Sequence, residues 1–304
     1  MKKNLKILIA GGTGFIGYHL AVKALKKKFS VTSISTKKPV KKRYNSKVKY
    51  IICDTSNFNL LSKKLNIDYD VIVNLSGYVN HSEKKKTYLT HYKGCKNLAK
   101  FFLKKDIKAF IQIGSGLEYG NSKSPQIESA KCSPRSVYSL AKYKSTVFLR
   151  KLFFNYNFPV TILRLYQAYG PKQDTNRLIP SVIEQSFKGE KIPCSHGLQL
   201  RDFLYIDDLT DLIFKIIHNE KAKGEIFNVG SSKPIKIKEV IKKIVKIVGS
   251  GKPNFGAIKI RKDETMKMYP SIKKAKKILN WTPKNIFTTG IKKTIRSYRN
   301  DLCK

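Results

Sequence analysis

The sequence predicts an α/β fold: a doubly wound parallel sheet followed by a smaller, irregular C-terminal domain. Two observations predict it. Short apolar runs alternate with stretches of helical spacing up to about residue 170. A glycine-rich turn, Gly11-Gly12-Thr13-Gly14-Phe15-Ile16-Gly17, lies between the first apolar run and the first helical stretch. Alternation of this kind builds a parallel sheet with helices on both faces.

Leu5–Ala10 reads as a buried first strand, and Ile16, Leu20, Ala24 and Leu25 fall at helical spacing after it. Strand, glycine turn and helix in this order hold a dinucleotide in Rossmann-type sheets. Gly11, Gly14 and Gly17 serve the tight turn, the backbone approach to pyrophosphate and helix–strand packing. The helix start at Phe15 and Ile16 presents unpaired N–H groups to the phosphates. A glycine turn without a ligand shares the spacing; its place between strand and helix favours the dinucleotide. Further strands are Val31–Ser35, Val48–Cys53, Val71–Leu75, Ala109–Gly114 and Val160–Leu165, with helices over Thr87–Lys104 and Tyr138–Phe154. Past Tyr169-Gly170-Pro171 proline and glycine punctuate shorter elements, which puts a boundary near residue 170.

The second strand ends in Ser35-Thr36-Lys37-Lys38. A carboxylate there would bond both ribose hydroxyls of NAD. Lysines in its place suit a 2′-phosphate, so NADP(H) is favoured over NAD; the general lysine excess accounts for the same residues.

That excess is large: 62 Lys+Arg against 20 Asp+Glu give 304 residues a net charge of +42. Such a balance attracts polyanions, or is a lysine bias spread over solvated faces. The lysines come in short scattered runs, without zinc-finger spacing or an RNA-binding signature, so no nucleic-acid partner and no metal are expected. The five cysteines are scattered and form no Cys-x-x-Cys pair, as free thiols of a reducing compartment do. The absence of a signal peptide or long apolar run predicts a cytoplasmic protein without a membrane partner.

Tyr138 and Lys142 are four residues apart, which on a helix puts them on one face with Cβ atoms about 5–6 Å apart. A lysine cation beside a phenol lowers its pKa and eases proton exchange. A core tyrosine beside a surface lysine gives the same spacing. Ser115 adds weight, because it ends the fifth strand, and strand C-termini face the ligand crevice.

With these residues in place, the chain resembles the extended short-chain dehydrogenase/reductases, of the nucleotide-sugar epimerase/dehydratase/reductase kind. The motifs are Gly11, Gly14 and Gly17; Asp54-Thr55 after the third strand; and Leu75-Ser76-Gly77 after the fourth. Ser115, Tyr138, Lys142, Arg164, Tyr169-Gly170-Pro171, Arg201-Asp202-Phe203, Phe227-Asn228-Val229-Gly230, Arg261 and Trp281 continue the series. The resemblance implies that Ser115, Tyr138 and Lys142 are the catalytic set. It implies cofactor contacts at Gly11, Gly14, Phe15, Ile16, Gly17, Ser35, Thr36, Lys37, Asp54, Thr55, Leu75, Ser76, Gly77, Tyr138 and Lys142. Arg201 and Arg261 would grip a substrate diphosphate, with Gln167 and Arg177 also facing the substrate. An ion pair of Arg201 with Asp202 or Asp207, and a plain surface charge at Arg177, stay open. The resemblance also implies 1–170 as the dinucleotide-binding domain, 171–304 as mainly the nucleotide-sugar-binding domain, and a homodimer. The dimer would pair the two long helices through Leu98, Phe101, Phe102, Val147, Phe148 and Leu152.

Three departures narrow the reaction. His91 stands where many members have Asn and reads as a helix-packing histidine; Gln167 replaces an Asn; Gly116-Leu117 replaces the Asp-Glu pair of family 4,6-dehydratases. Dehydration needs an acid and a base besides Tyr138, and neither Gly116 nor Leu117 titrates. A 4-ketoreductase and a 4-epimerase need only Ser, Tyr, Lys and cofactor. The NADP(H) expectation favours the reductase, and the segments around Ser115 and Tyr169 resemble those of CDP-abequose synthase-type enzymes. The alternatives are an NAD-dependent 4-epimerase and a catalytically idle member that binds RNA.

Overall fold

The computed structural model describes residues 4–65, 68–78, 80, 82–260 and 264–302. The apolar runs become parallel strands: β1 (Lys6–Ala10), then helix α1 (Phe15–Lys26), β2 (Ser30–Ser35), β3 (Lys49–Ile52), α2 (Phe58–Lys64) and β4 (Val71–Asn74). Next come α3 (Lys84–Tyr88), a π-helical turn over Leu89–Lys93, α4 (Gly94–Phe102), β5 (Ala109–Ser115), α5 (Val137–Tyr156) and β6 (Val160–Leu165). β7 (Gln167–Tyr169), α6 (Leu178–Phe187), β8 (Lys191–Cys194), β9 (Leu200–Arg201), β10 (Phe203–Tyr205), α7 (Ile206–Ile217) and β11 (Ile226–Val229) follow. The chain ends with β12 (Ile235–Lys236), α8 (Ile237–Val248), β13 (Lys252–Phe255), β14 (Lys267–Met268), α9 (Lys273–Leu279) and α10 (Phe287–Leu302).

The main sheet has seven strands in the order β11-β6-β5-β4-β1-β2-β3, all parallel. Its strands are buried on both faces, which is why they read as continuous apolar runs. Alternate residues still sort to opposite faces. Ile7, Ile9, Val71, Val73 and Ile111 pack with α1, α6 and α7 on one side. Leu8, Ala10, Ile72, Phe110 and Ile162 pack with α2, α4 and α5 on the other.

The chain recrosses the boundary expected near residue 170: β11 pairs with β6, and α7 packs on α1. The remaining C-terminal strands form small sheets, β10-β7, β12-β9-β14 and β13-β8.

The apolar residues expected to join two protomers divide differently. Leu98, Phe102 and Leu152 are buried in the protomer's own core against the sheet, and Phe101 and Phe148 are partly buried there. Of the six, Val147 alone is exposed, and Leu140 and Phe154, seven residues to either side of it on α5, are exposed with it. Cys53, Cys95, Cys132 and Cys194 are free thiols, and Cys303 lies outside the described residues. Among the described residues no helix is long and apolar enough to cross a membrane, and no His/Cys/Asp/Glu cluster is suited to a metal ion.

Candidate active site

A cleft of about 840 Å³ opens at the C-terminal ends of the central strands, where strand order reverses between β1 and β4. Such a reversal leaves a crevice between helices that diverge to opposite faces. Gly11, Gly14, Phe15, Ile16 and Gly17 line its floor. Gly11 has φ +81°, and a Cβ there would lie 2.9 Å from the Leu75 carbonyl carbon. A Cβ on Gly17 would lie 2.5 Å from the Gly11 carbonyl oxygen, so the turn and α1 close only around glycine. Gly14 caps α1 without a side-chain bond, and no acidic residue occupies the first turn. The helix therefore offers its first N–H groups and its positive end to an anion in the cleft.

Every other cofactor residue expected from the sequence also lines the cleft: Ser35, Thr36, Lys37, Asp54, Thr55, Leu75, Ser76 and Gly77. Ser35 Oγ accepts from the Thr13 N–H at 3.4 Å. Asn74 Oδ1 holds the Ser76 N–H at 3.1 Å, shaping the loop after β4. Sequence reasoning missed Arg43, which lines the same end and donates to both carboxylate oxygens of Asp174 at 3.1 and 2.9 Å. One arginine inside a lysine-rich run gives no signal in the chain. Its burial and a partner 131 residues away single it out.

Ser115, Tyr138 and Lys142 meet in the cleft. Ser115 ends β5, and α5 begins at a Ser136–Ser139 capping box that places Tyr138 in the first turn. The Tyr138 hydroxyl bonds the Ser115 side chain. The Lys142 ammonium lies 5.9 Å from the Tyr138 ring centroid and donates to the Ile113 carbonyl at 2.7 Å. Burial pushes Lys142 down to about 8, opposed by the nearby Cys95 and Glu118. Burial also raises the Tyr138 pKa above its ordinary value, against the lowering bond from Ser115. That reverses the direction expected from a neighbouring lysine, because Lys142 turns to a backbone carbonyl and desolvation of the phenol dominates.

His91 does more than pack a helix. It is buried on the π-helical turn, lines the cleft, and stands edge-on to the Tyr138 ring with centroids 4.9 Å apart. A Cβ at Gly77 would fall 2.3 Å from its Cε1 atom, so the loop after β4 passes this ring only with glycine. The π-helical turn that carries His91 has no sequence signal of its own.

On the substrate side Gln167 and Arg177 line the cleft with Gln173, Asn176, Phe203 and Met268. Arg201 is not among the lining residues. It is buried and ion-paired with Glu264, not with Asp202 or Asp207, and also bonds the Leu200 carbonyl at 2.9 Å. Asp202 instead accepts from the Ser231 N–H and hydroxyl, which removes it as a partner. Arg261 lies outside the described residues. Leu117 lines the cleft, and a Cβ on Gly116 would lie 2.7 Å from Cζ of Tyr166. The Tyr166 ring thus fills the space that a side chain at 116 would need.

The sequence and the fold are similar to those of known proteins. Residues 7–230 match the NAD dependent epimerase/dehydratase family. The chain is 28% identical to dTDP-D-glucose 4,6-dehydratase of Homo sapiens, over 97% of this chain and 90% of that one. It is 27% identical to CDP-abequose synthase of Salmonella muenchen, over 96% and 97%. The fold superposes on a UDP-glucose 4-epimerase with UDP-glucose from Thermotoga maritima at a TM-score of 0.92, with 24% identity over 98% and 100% of the chains. A UDP-glucuronic acid 4-epimerase from Bacillus cereus, in complex with UDP-glucuronic acid and NAD, gives 0.87 at 25% identity over 97% and 99%.

Proposed function

The chain belongs to the NAD dependent epimerase/dehydratase family, whose members act on nucleotide sugars, and on that premise we propose that it reduces a nucleoside-diphosphate 4-keto-6-deoxy sugar at C4 with NADPH. One observation carries the reading. A complete Ser115–Tyr138–Lys142 set lies in a cleft whose positions 116 and 117 offer no titratable group. Tyr166 stands against Gly116 and position 117 is Leu, so these two positions supply no dehydratase acid–base pair. The likeness to dehydratases is then one of scaffold.

The glycine cradle and bare start of α1 fit a dinucleotide pyrophosphate. Ser35, Thr36, Lys37 and Lys38 fit a phosphorylated ribose, and Asp54 and Thr55 the adenine end. When bound, the nicotinamide supplies a hydride to C4. Tyr138 gives its phenolic proton to the C4 oxygen as negative charge develops there, a general-acid role for which its raised pKa keeps it protonated. The Ser115 hydroxyl holds the same oxygen. Lys142, turned from the Ile113 carbonyl toward the ribose, orients it and adds positive charge beside the phenol. Gln167 and Arg177 face the sugar nucleotide, and residues 171–304 supply most of its site.

We assign the active form as a homodimer. Leu140, Val147 and Phe154 repeat every seven residues on α5, the spacing of a helix–helix seam.

The second reading is a 4-epimerase that retains NAD, favoured by the likeness to an NAD-bound UDP-glucuronic acid 4-epimerase. The deciding experiment offers the purified protein a panel of nucleotide 4-keto sugars with NADPH and with NADH, following loss of reduced cofactor. Stoichiometric oxidation of NADPH with a 4-hydroxy product is expected. Turnover of nucleotide hexoses by NAD carried through purification would overturn the reductase and establish the epimerase.

A further inference from the structure

Glu118 is fully buried three residues beyond Ser115. Its Oε1 accepts the Ser115 N–H at 2.9 Å. Its Oε2 accepts the Thr146 hydroxyl at 2.8 Å and Arg164 Nε at 3.0 Å. Arg164, on β6, is itself buried and lies over the Tyr119 ring at 4.4 Å. Thr146 follows Tyr138 and Lys142 at successive intervals of four on α5, so the three share one helix face. Gly114 makes the approach possible, because a Cβ there would lie 2.6 Å from Glu118 Oε1.

We infer that Glu118 is a positioning residue: one carboxylate fastens the Ser115 backbone to the helix face that carries Tyr138 and Lys142. The inference rests on the reading of those three residues as the reacting set. A carboxylate with both oxygens engaged in charge-assisted bonds is stiffer than a packing contact. Misplacing reacting groups by as little as an ångström costs up to about a hundredfold in rate. A capping role alone would need only the Ser115 bond; the links to Thr146 and Arg164 join three elements. Glu118 also supports the Lys142 charge, which otherwise faces Cys95 from α4 and Tyr138 on its own helix.

The test compares Glu118→Gln, Thr146→Val and Thr146→Ser with the wild type in the full chain. Lysine ¹³Cε NMR, with the Lys142 signal assigned through Lys142→Met, reads the titration midpoint without any substrate. Kinetics on the accepted 4-keto sugar read kcat and KM. Glu118→Gln is expected to lower the Lys142 midpoint by about 1 unit, since the carboxylate is lost and the Arg164 cation is left uncompensated. Thr146→Val keeps that midpoint but lowers kcat about tenfold with KM near wild type, and Thr146→Ser restores kcat. Wild-type kcat in Thr146→Val, or an unmoved Lys142 midpoint in folded Glu118→Gln, overturns the inference. If Glu118→Gln does not fold, the Thr146 pair decides. If no 4-keto sugar is turned over, the reductase reading fails separately, and kcat of the Thr146 pair on whichever nucleotide sugar is accepted decides the role of Glu118.

Discussion

The Lys142 ammonium donates to the Ile113 carbonyl oxygen at 2.7 Å from a position only 4% exposed to solvent. Burial lowers its pKa from 10.5 to about 8. The folded protein therefore binds fewer protons at this site than the unfolded chain between those two values, so stability from this group rises with pH across that window and its cost is fully present below about 8. The cost is on the order of 3 kcal/mol. Lys142→Met should melt higher than wild type at pH 7, with the gap closing toward pH 10, while losing turnover. The Ile113 carbonyl keeps its bond from Gln112 at 2.9 Å, so no buried acceptor is orphaned. Wild-type kcat should fall as pH rises through about 8. Melting curves against pH check the first outcome and a kcat profile the second.

Tyr138 is the proton donor in this scheme. Its raised pKa puts its own loss of function at higher pH than that of Lys142. Tyr138→Phe should lower kcat by about 10²–10⁴-fold. Cofactor affinity should stay near wild type, because the ring still packs edge-on to His91. Titration of cofactor and steady-state kinetics on one preparation separate the two effects; a variant that keeps most of its rate removes Tyr138 from the mechanism.

The proposed preference for NADPH rests on the end of β2. Lys37 and Lys38 are exposed cations at this end of the cleft, and Arg43 joins them only by exchanging the half-exposed Asp174 carboxylate for phosphate. NADPH should bind more tightly than NADH, and the gap should shrink as salt screens the attraction. Lys37→Ala should weaken NADPH several-fold, the worth of an exposed pair at about 0.2–1 kcal/mol. Ser35→Asp should invert the preference by repelling the phosphate and bonding the ribose hydroxyls. Fluorescence titration of both cofactors at two salt concentrations measures each shift.

The α5 seam predicts the oligomeric state. Phe154 is 64% exposed and Val147 38%, an unusual display on a helix whose inner face is buried. Val147→Glu should convert a dimer to a monomer without lowering the melting temperature of the protomer much, since the side chain leaves no core. Sedimentation at moderate salt is the measurement, because self-repulsion at a net charge of +42 is least screened in dilute buffer. A wild-type monomer at micromolar concentration would remove the seam.

Much of this was legible in the chain for physical reasons. Strands such as Ile7–Ala10 are apolar because both faces are covered, and the glycines at 11, 14 and 17 leave a local spacing. What escaped depends on distant partners. Glu118 reads as one residue of a strand-end motif until Thr146 and Arg164 are found beside it. Leu98, Phe102 and Leu152 look like interface residues only while the depth of their own core is unknown. The environment of Tyr138 was expected with the wrong sign because sequence spacing shows the lysine and not the desolvation.

Arg201 supplies the last prediction. It is buried beside the cleft, where its strand partner Met268 is a lining residue, yet its guanidinium is held by Glu264. To grip a diphosphate it must exchange that carboxylate for phosphate oxygens, which suit the same planar fork. The Arg201 side chain is 7% exposed and the Glu264 carboxylate 27%, so the exchange begins at the partly solvated carboxylate. Glu264→Gln should therefore tighten binding of UDP or CDP a few-fold, and Arg201→Met should weaken it. A purely structural Arg201 makes a different forecast: Glu264→Gln would lower the melting temperature and leave nucleotide affinity unchanged. Calorimetric titration of both nucleotides, paired with melting curves on the same samples, separates a phosphate grip from a structural brace.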